Sequence, residues 1–212
     1  MAPPSTPRRR SRRKQARPAE IVRAALICFA ESGFAATKLE DVAAAAGISK
    51  GTIYLYFSTK EELFRAVVRE AILPNLEAAE AELAAYAGPS PDLLRLLAQR
   101  FLTLLDSDLT AVPKLVLAES GNFPAIAQFY ADTVLRRGSR LIEGVLTRGM
   151  QRGEFRRIDV HAVLPLFAAP FLLLVLWKHS IGRHTDLGFD ARAVIGAHLD
   201  VLLRGLAPDP DK

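Results

Sequence analysis

Hydrophobic residues recur every three or four positions along most of this 212-residue chain, which is the period of an amphipathic α-helix. No stretch alternates as a half-buried strand does, and no internal repeat is visible. The breaks carry glycine, proline or capping residues, as at Gly88-Pro89. The pattern predicts an all-α fold of about nine helices. The longer ones fall at residues 18–32, 58–87, 91–106, 112–120, 124–151, 160–180 and 190–206.

Local start and stop signals between residues 37 and 61 predict two further short helices. Thr37–Glu40 and Ser58–Glu61 each have capping-box spacing, so a helix should start after each hydroxyl. Gly47 can end a helix by adopting a positive φ, and Ser49 can cap the next one. The result is a helix, a tight turn and a second helix, which is the helix-turn-helix arrangement.

The second of these helices has one apolar face and one face suited to nucleic acid. Ile53 and Phe57 are four residues apart and should be buried together. Opposite them lie side chains that can hydrogen-bond or stack, and a glycine that lets the backbone approach a phosphate. These are Lys50, Gly51, Thr52, Tyr54 and Tyr56. The same spacing is also typical of a capped helical hairpin with a solvated face.

Residues 49–57 (SKGTIYLYF), followed by Lys60-Glu61-Glu62-Leu63, resemble the signature of TetR-family transcriptional regulators. The resemblance extends back to Ile21. Residues 112–115 and 119–124 are similar to one class of carboxyl-terminal domain in that family. The resemblance implies a homodimeric regulator, most often a repressor, that binds a palindromic operator in double-stranded DNA and is released by a small-molecule inducer.

Site residues follow from the same resemblance. It implies phosphate contacts for Thr37 and Lys60, within a DNA-binding domain over residues 18–60. Leu55 could touch a thymine methyl group or pack at the edge of the domain. The other residues expected at or near the operator are Lys38, Ser49, Lys50, Gly51, Thr52, Tyr54 and Tyr56.

The net charge of +5 is unevenly distributed. Seven Arg and Lys residues lie before Glu20 with no acid among them, and the rest of the chain is slightly acidic. We therefore expect residues 1–17 to form a disordered basic arm that favours a polyanion such as nucleic acid. A solubilising tail would have the same composition.

The remainder is predicted to form a connecting helix over 61–88, kinked at Pro74, and a ligand-binding and dimerisation domain over 89–212. Aromatic side chains in its middle helices either fill a core or line a pocket. The resemblance favours a pocket for a small apolar or aromatic inducer, with Glu119 as a polar contact. The expected lining is Phe101, Leu105, Leu115, Glu119, Phe123, Tyr130, Phe167 and Phe171.

Residues 162–177 are apolar throughout. Sixteen residues fall short of the roughly twenty that span a bilayer, and Pro165 and Pro170 should interrupt the helix, so we expect no membrane span. A second subunit would cover such a helix. The stripe containing Ile195, His198 and Val201 fits either a dimer interface or the core within one chain. The resemblance favours a homodimer through helices 160–180 and 190–206.

The chain offers few groups for catalysis. Its four histidines show no metal-ligand spacing, and no phosphate-binding glycine loop or nucleophile elbow is present. We expect no enzyme activity, cofactor or metal, and we expect Cys28 to serve packing in a cytoplasmic protein. Two alternatives are a helical ligand carrier with a vestigial helix-turn-helix and a membrane-associated protein using the arm and residues 162–177.

Overall fold

The computed structural model describes residues 8–208, with side chains described from Pro18 onward. The chain divides into two compact units, Met1–Ile72 and Leu73–Lys212. The helices of the first unit are α1 (Arg8–Ala36), α2 (Leu39–Ala45), α3 (Lys50–Tyr54) and α4 (Lys60–Val67), followed by a π turn (Val68–Ile72). Those of the second are α5 (Leu73–Ala85), α6 (Ser90–Leu105), α7 (Ala111–Glu119), α8 (Pro124–Tyr130), α9 (Arg136–Gln151), α10 (Val160–His179) and α11 (Ala191–Leu206).

The fold is all-α, as predicted. Two α-helix pairs, α4–α5 and α8–α9, are joined by π turns at Val68–Ile72 and Ala131–Leu135 instead of loops. With each such pair counted as one helix, the described part of the chain has the nine helices expected from the sequence, and no strand. The starts and ends agree with the predicted helices to within one or two residues over most of the second unit.

An aromatic cluster forms the core of the first unit. The rings of Phe29 and Phe34 are 5.4 Å apart, and Phe64 lies 6.3 Å from the first and 5.9 Å from the second. Leu63 and Val67 of α4 are also completely buried. Because α4 supplies part of this core, the unit extends to Ile72, and the predicted domain boundary at residue 60 lies inside it.

The start of α1 differs from the predicted arm. Its backbone is helical from Arg8, where the sequence predicted disorder through residue 17. Arginine, lysine, glutamine and alanine are all good helix formers. The prediction of disorder considered only the charge of this segment and not this local preference for helix. Residues 1–7 of the predicted arm lie outside the described residues. Gly33 has a φ of 80° and interrupts the helix, as predicted.

Both predicted capping boxes are displaced by one residue. The N-cap of α2 is Lys38, whose N–H donates to Asp41 Oδ2 at 3.0 Å. The N-cap of α4 is Thr59, whose hydroxyl accepts from the Glu62 N–H at 3.1 Å. The predicted pairs beginning at Thr37 and Ser58 were therefore wrong. The packing of the buried apolar residues that follow sets each helix start, and the neighbouring cap candidates have the same three-residue spacing.

The core of the second unit lies among α6, α9, α10 and α11, and α7 packs against α10. Fully buried residues from three helices meet there, including Leu93, Leu146 and Ile195. Two ion pairs attach α5 to this core. Glu82 pairs with Arg100 at 2.9 Å, and Glu80 pairs with Arg137 at 2.5 Å.

The helical run from α4 to α5 contains a π turn next to Pro74, where the sequence predicted a kink. Pro74 is the second residue of α5 and follows the π turn directly. A proline within a helix has no N–H, and its ring crowds the carbonyl group four residues earlier, here that of Glu70. A π turn changes the local hydrogen-bond spacing. This change can relieve the contact between the proline ring and the Glu70 carbonyl group.

Helix α10 matches the predicted helix 160–180 and extends beyond the apolar segment 162–177 at both ends. It runs for 20 residues with Pro165 and Pro170 inside it, so the expected breaks at these prolines are absent. Its mean hydropathy reaches 2.2, and it is the one helix among the described residues long and apolar enough to cross a membrane. The prediction that this apolar helix is too short to cross a membrane was therefore wrong. Four residues on one face, Phe167, Phe171, Leu174 and Val175, are buried in the second unit.

Candidate DNA-binding and ligand sites

The turn between α2 and α3 is built as the sequence predicted. Gly47 has a φ of 65°, and the next N–H, of Ile48, donates back to the Ala43 carbonyl at 2.9 Å. Ser49 caps α3, because its hydroxyl accepts from the Thr52 N–H at 3.2 Å. The Ser49 and Thr52 hydroxyls also hydrogen-bond to each other at 2.8 Å. The turn and the cap together orient α3 on α2.

The outer face of α3 is open to solvent. Ile53 is completely buried, whereas Tyr54 is 44% exposed and Leu55 is 84% exposed. Gly51 is exposed, its φ is not positive, and a Cβ atom built on it would meet nothing within 4 Å. The fold itself therefore does not require glycine there, and the missing side chain leaves the backbone open to an approaching partner.

Glu40 joins α2 to the exposed face of α3. Its Oε1 atom lies 2.8 Å from Lys50 Nζ and accepts a hydrogen bond from the Tyr54 hydroxyl at 3.0 Å. Hydrogen bonds from Lys50, from the backbone and from Tyr54 lower the pKa of Glu40 to about 2. The same contacts raise the pKa of Lys50 and of Tyr54. Sequence reasoning singled out both partners but missed Glu40, which it assigned to a capping box.

Thr37 and Lys60, the two predicted phosphate contacts, both have partners within the chain. The Thr37 side chain is only 3% exposed, and its hydroxyl donates to the Gly33 carbonyl at 2.7 Å. That hydroxyl is therefore engaged within the first unit, and the phosphate contact of Thr37 stays a prediction. Lys60 Nζ donates to the Ala35 carbonyl at 2.9 Å and lies 4.6 Å from the centre of the Phe34 ring. Lys60 thus holds α4 against the end of α1.

The other residues predicted near DNA lie on or beside this surface. Lys38 is exposed at the start of α2, and Lys50 is exposed at the start of α3. Thr52 and Tyr56 are partly buried. The structure therefore brings the predicted set together around α3 and its turn, with Thr37 directed into the core.

Three of the predicted ligand-lining residues form one aromatic cluster. The Phe101 and Phe171 rings are 4.7 Å apart, and the Phe167 and Phe171 rings are 5.2 Å apart. His198 lies 6.3 Å from both Phe167 and Phe171. The buried Nε2 atom of His198 has no hydrogen-bond partner within the described chain.

The remaining predicted lining residues lie on or beside α6, α7 and α8. Leu105 ends α6, and α7 contains Leu115 and Glu119. Phe123 is the N-cap of α8 and Tyr130 is its last residue. Tyr130 is 5% exposed, and burial raises its pKa far above the ordinary value.

A pocket that the sequence did not predict lies between α5 and α9. It has a volume of about 450 Å³, within the range usual for small-molecule sites. Arg137 forms hydrogen bonds to both carboxylate oxygens of Glu80, at 2.9 Å and 2.5 Å. No motif marked this site, because the two helices are more than fifty residues apart in sequence. Its lining is Glu80, Leu83, Ala84, Arg137, Arg140 and Leu141.

A histidine at the end of α10 is held neutral by its surroundings. Burial, followed by the nearby charges of Lys178 and Arg183, lowers the pKa of His179 to about 4. Arg183 donates to Nδ1 of the ring at 3.3 Å, so the proton of neutral His179 is on Nε2. That N–H then donates to the Thr110 hydroxyl at 2.9 Å.

Two families of known proteins match the chain, one on each side of the boundary between its two units. Residues 21–67 match the family model described as bacterial regulatory proteins, tetR family. Residues 92–181 match the model described as AefR-like transcriptional repressor, C-terminal domain. The first match covers the helix-turn-helix, and the second covers most of the second unit.

Full-length relatives agree with the two models. The chain is 28% identical to the fatty acid metabolism regulator protein of Bacillus subtilis over 91% of this chain and 98% of the relative. It is 29% identical to the transcriptional repressor KstR2 of Rhodococcus jostii over 92% and 93% of the two chains.

Solved structures share the fold. The Bacillus subtilis regulator FadR in complex with stearoyl-CoA superposes with a TM-score of 0.75 at 24% identity, covering 89% of this chain and 98% of that one. KstR2 of Mycobacterium tuberculosis superposes with a TM-score of 0.70 at 23% identity, covering 91% of this chain and 96% of that one. The helix-turn-helix, the two family models and these relatives agree: the chain belongs to the TetR family of transcriptional regulators.

Proposed function

We propose that this protein is a repressor that binds a palindromic operator as a homodimer and leaves it when a small apolar inducer binds. The observation that supports DNA recognition most directly is the exposed outer face of α3. Lys50, Gly51, Tyr54 and Leu55 are presented there by a capped turn that buries Ile53. DNA phosphates and base edges can be contacted by the Lys50 ammonium group, the open backbone at Gly51 and the Tyr54 hydroxyl. Leu55 can contact a thymine methyl group.

The test of DNA recognition is selection of duplexes from a random library, followed by affinity measurements on the selected site. We expect an inverted repeat, because a two-fold dimer presents two identical recognition helices. Tyr54→Ala should weaken operator binding strongly while leaving helicity unchanged, since Tyr54 is half exposed. Ile27→Ala, similarly exposed on α1, is the matched control and should bind normally. Selection without an enriched sequence would refute the proposal.

The exposed side of α10 supports the homodimer. Leu166 is 60% exposed, Leu172 is 40% exposed and Leu173 is 49% exposed. With other exposed α10 residues they follow the three- and four-residue spacing of one helix face, namely Ala162, Pro165, Leu166, Ala169, Leu172 and Leu173. A monomer in water would leave this apolar face uncovered, and the same face of a second copy would cover it. On α11, Val201 is 72% exposed and would extend the interface.

The inducer proposal rests on the second unit. The related Bacillus subtilis FadR binds stearoyl-CoA in its solved structure, so a long-chain acyl thioester is the first inducer to test here. We propose that its apolar part enters between α6, α10 and α11, where Phe101, Phe167 and Phe171 pack together beside His198. Entry of a ligand there requires these rings to separate.

Two measurements test the inducer: calorimetry for ligand binding, and an operator-release assay for its effect on DNA binding. We expect stearoyl-CoA to bind and to lower operator affinity, while coenzyme A alone does neither because it has no apolar chain. Phe171→Trp should obstruct the ring cluster and weaken binding of the ligand without affecting operator binding. Other apolar or aromatic compounds are compared by the same release assay. If operator affinity is unchanged by every ligand that binds, induction through this unit is wrong.

A further inference from the structure

Glu40 occupies an unusual position for an acidic residue in a DNA-binding unit. Its Oε1 atom contacts both Lys50 Nζ and the Tyr54 hydroxyl, at 2.8 Å and 3.0 Å. Lys50 and Tyr54 are one helical turn apart on α3, whereas Glu40 is in the first turn of α2. One carboxylate oxygen therefore holds the two polar groups of α3 that the proposed function assigns to the operator.

This contact is accessible to a competitor. The Lys50 side chain is 69% exposed and that of Glu40 is 36% exposed, so the ion pair lies at the surface. Exposed ion pairs contribute little net stability, and a phosphate oxygen is an equally good acceptor for the ammonium group. A phosphate arriving at α3 would meet Lys50 and at the same time be repelled by Glu40.

We propose that Glu40 is a positioning residue that exchanges with DNA. In the free protein it orients Lys50 and Tyr54 together. When DNA docks, a phosphate replaces the carboxylate on Lys50, while Glu40 keeps its hydrogen bond from Tyr54. This inference rests on the proposed DNA-binding role of α3.

The two contacts of Glu40 would act differently, one on overall affinity and the other on sequence preference. Every DNA complex, specific or not, loses the Glu40–Lys50 ion pair and places a carboxylate near phosphates, which weakens nonspecific binding. The retained bond fixes the direction of the Tyr54 hydroxyl, which benefits only a site with a partner in the matching place. Glu40 would thus lower overall affinity while preserving preference for the operator.

The test compares two substitutions at Glu40 for operator and random duplexes. Glu40→Gln removes the charge but keeps an acceptor for Tyr54. We expect affinity for both duplexes to rise about two- to fivefold, with the salt slope steeper by about 0.9. Glu40→Ala removes the acceptor as well, so its operator-to-random affinity ratio should fall. The control Glu31→Gln makes the same charge change on α1 and should have a smaller effect.

A double-mutant cycle with Lys50→Gln separates the exchange from general repulsion. If the carboxylate acts by competing for Lys50, the gain from Glu40→Gln should largely disappear in the Lys50→Gln background. An equal gain in both backgrounds would overturn the exchange, although the DNA-binding function would stand. A wild-type protein that shows no preference for any duplex would overturn the function and the exchange together. Unchanged helicity in each variant confirms that the protein is folded.

Discussion

The Lys60 ammonium group donates a hydrogen bond to the Ala35 carbonyl at 2.9 Å, which joins the start of α4 to the end of α1. The same group lies 4.6 Å from the centre of the Phe34 ring, within the range of a cation–π contact. Lys60 therefore contributes to the stability of the first unit, besides the phosphate contact that the family resemblance assigns to it.

This arrangement gives Lys60→Ala two effects. We expect a lower melting temperature, corresponding to about 0.5–1 kcal/mol for an exposed cation–π contact, in addition to weaker DNA binding. Thermal unfolding and a salt titration of operator affinity measure the two effects separately. Lys38→Ala is a suitable control, since Lys38 is exposed and should affect DNA binding alone. A normal melting temperature for Lys60→Ala would contradict the structural role.

Gly51→Ala should weaken operator binding without reducing stability. A Cβ atom at this position has free space, and alanine is the better helix former, so thermal stability should be equal or higher. The methyl group should instead obstruct close approach of DNA to α3. Gly47→Ala is the matched control, because its φ of 65° disfavours alanine and should lower stability by about 1 kcal/mol. Melting curves and gel shifts on both variants distinguish the two roles.

Leu166→Glu with Leu173→Glu should produce monomers and abolish operator binding. Both residues belong to the exposed apolar face of α10, where a dimer would bury two carboxylates from each subunit at a cost of several kcal/mol. Leu202 is less suitable for this test because it packs against the core of its own chain. Leu117→Glu changes a similarly exposed leucine on α7 and should remain dimeric. Analytical ultracentrifugation reports the result, and a monomeric wild type would contradict the homodimer.

His179 should make the protein sensitive to acid. Its folded-state pKa of about 4 lies below the ordinary value of 6.5, so the unfolded chain binds a proton more readily. Stability from this group is therefore complete above about pH 6.5 and decreases as the pH falls toward 4. His179→Gln should flatten the pH dependence of unfolding in that interval, whereas His184→Gln should not. Denaturant unfolding between pH 7 and 4 measures the difference.

Pro74→Ala should alter the inducer response more than operator binding. Residues 60–85 are helical throughout and form the covalent path from the DNA-binding unit into the second unit. Restoring the N–H at position 74 would favour regular α-helix over the π turn before it. Coupling between two binding sites must be reciprocal. The operator should therefore weaken ligand binding by the same factor by which the ligand weakens operator binding. Calorimetry with and without operator checks this equality for both proteins, and Pro91→Ala at the start of α6 is the control.

The sequence alone was sufficient for the helix-turn-helix and the number of helices. These features depend on local signals, such as the periodic apolar residues, the positive φ of Gly47 and the cap at Ser49, which act over a few neighbouring residues. The family resemblance depends on local motifs for the same reason, chiefly residues 49–57 and 60–63. Local signals could not choose between neighbouring caps, because the choice at Thr59 depends on how α4 packs against the rest of its unit.

Tertiary structure decided which polar groups are free to act. Thr37 is directed into the core by its bond to the Gly33 carbonyl, and Glu40 meets Lys50 and Tyr54 across ten or more residues. The pocket at Arg137 likewise requires two helices that are distant in sequence. Contacts of this kind arise only when separate elements pack together, because a side chain's partner is then set by three-dimensional proximity and not by spacing along the chain.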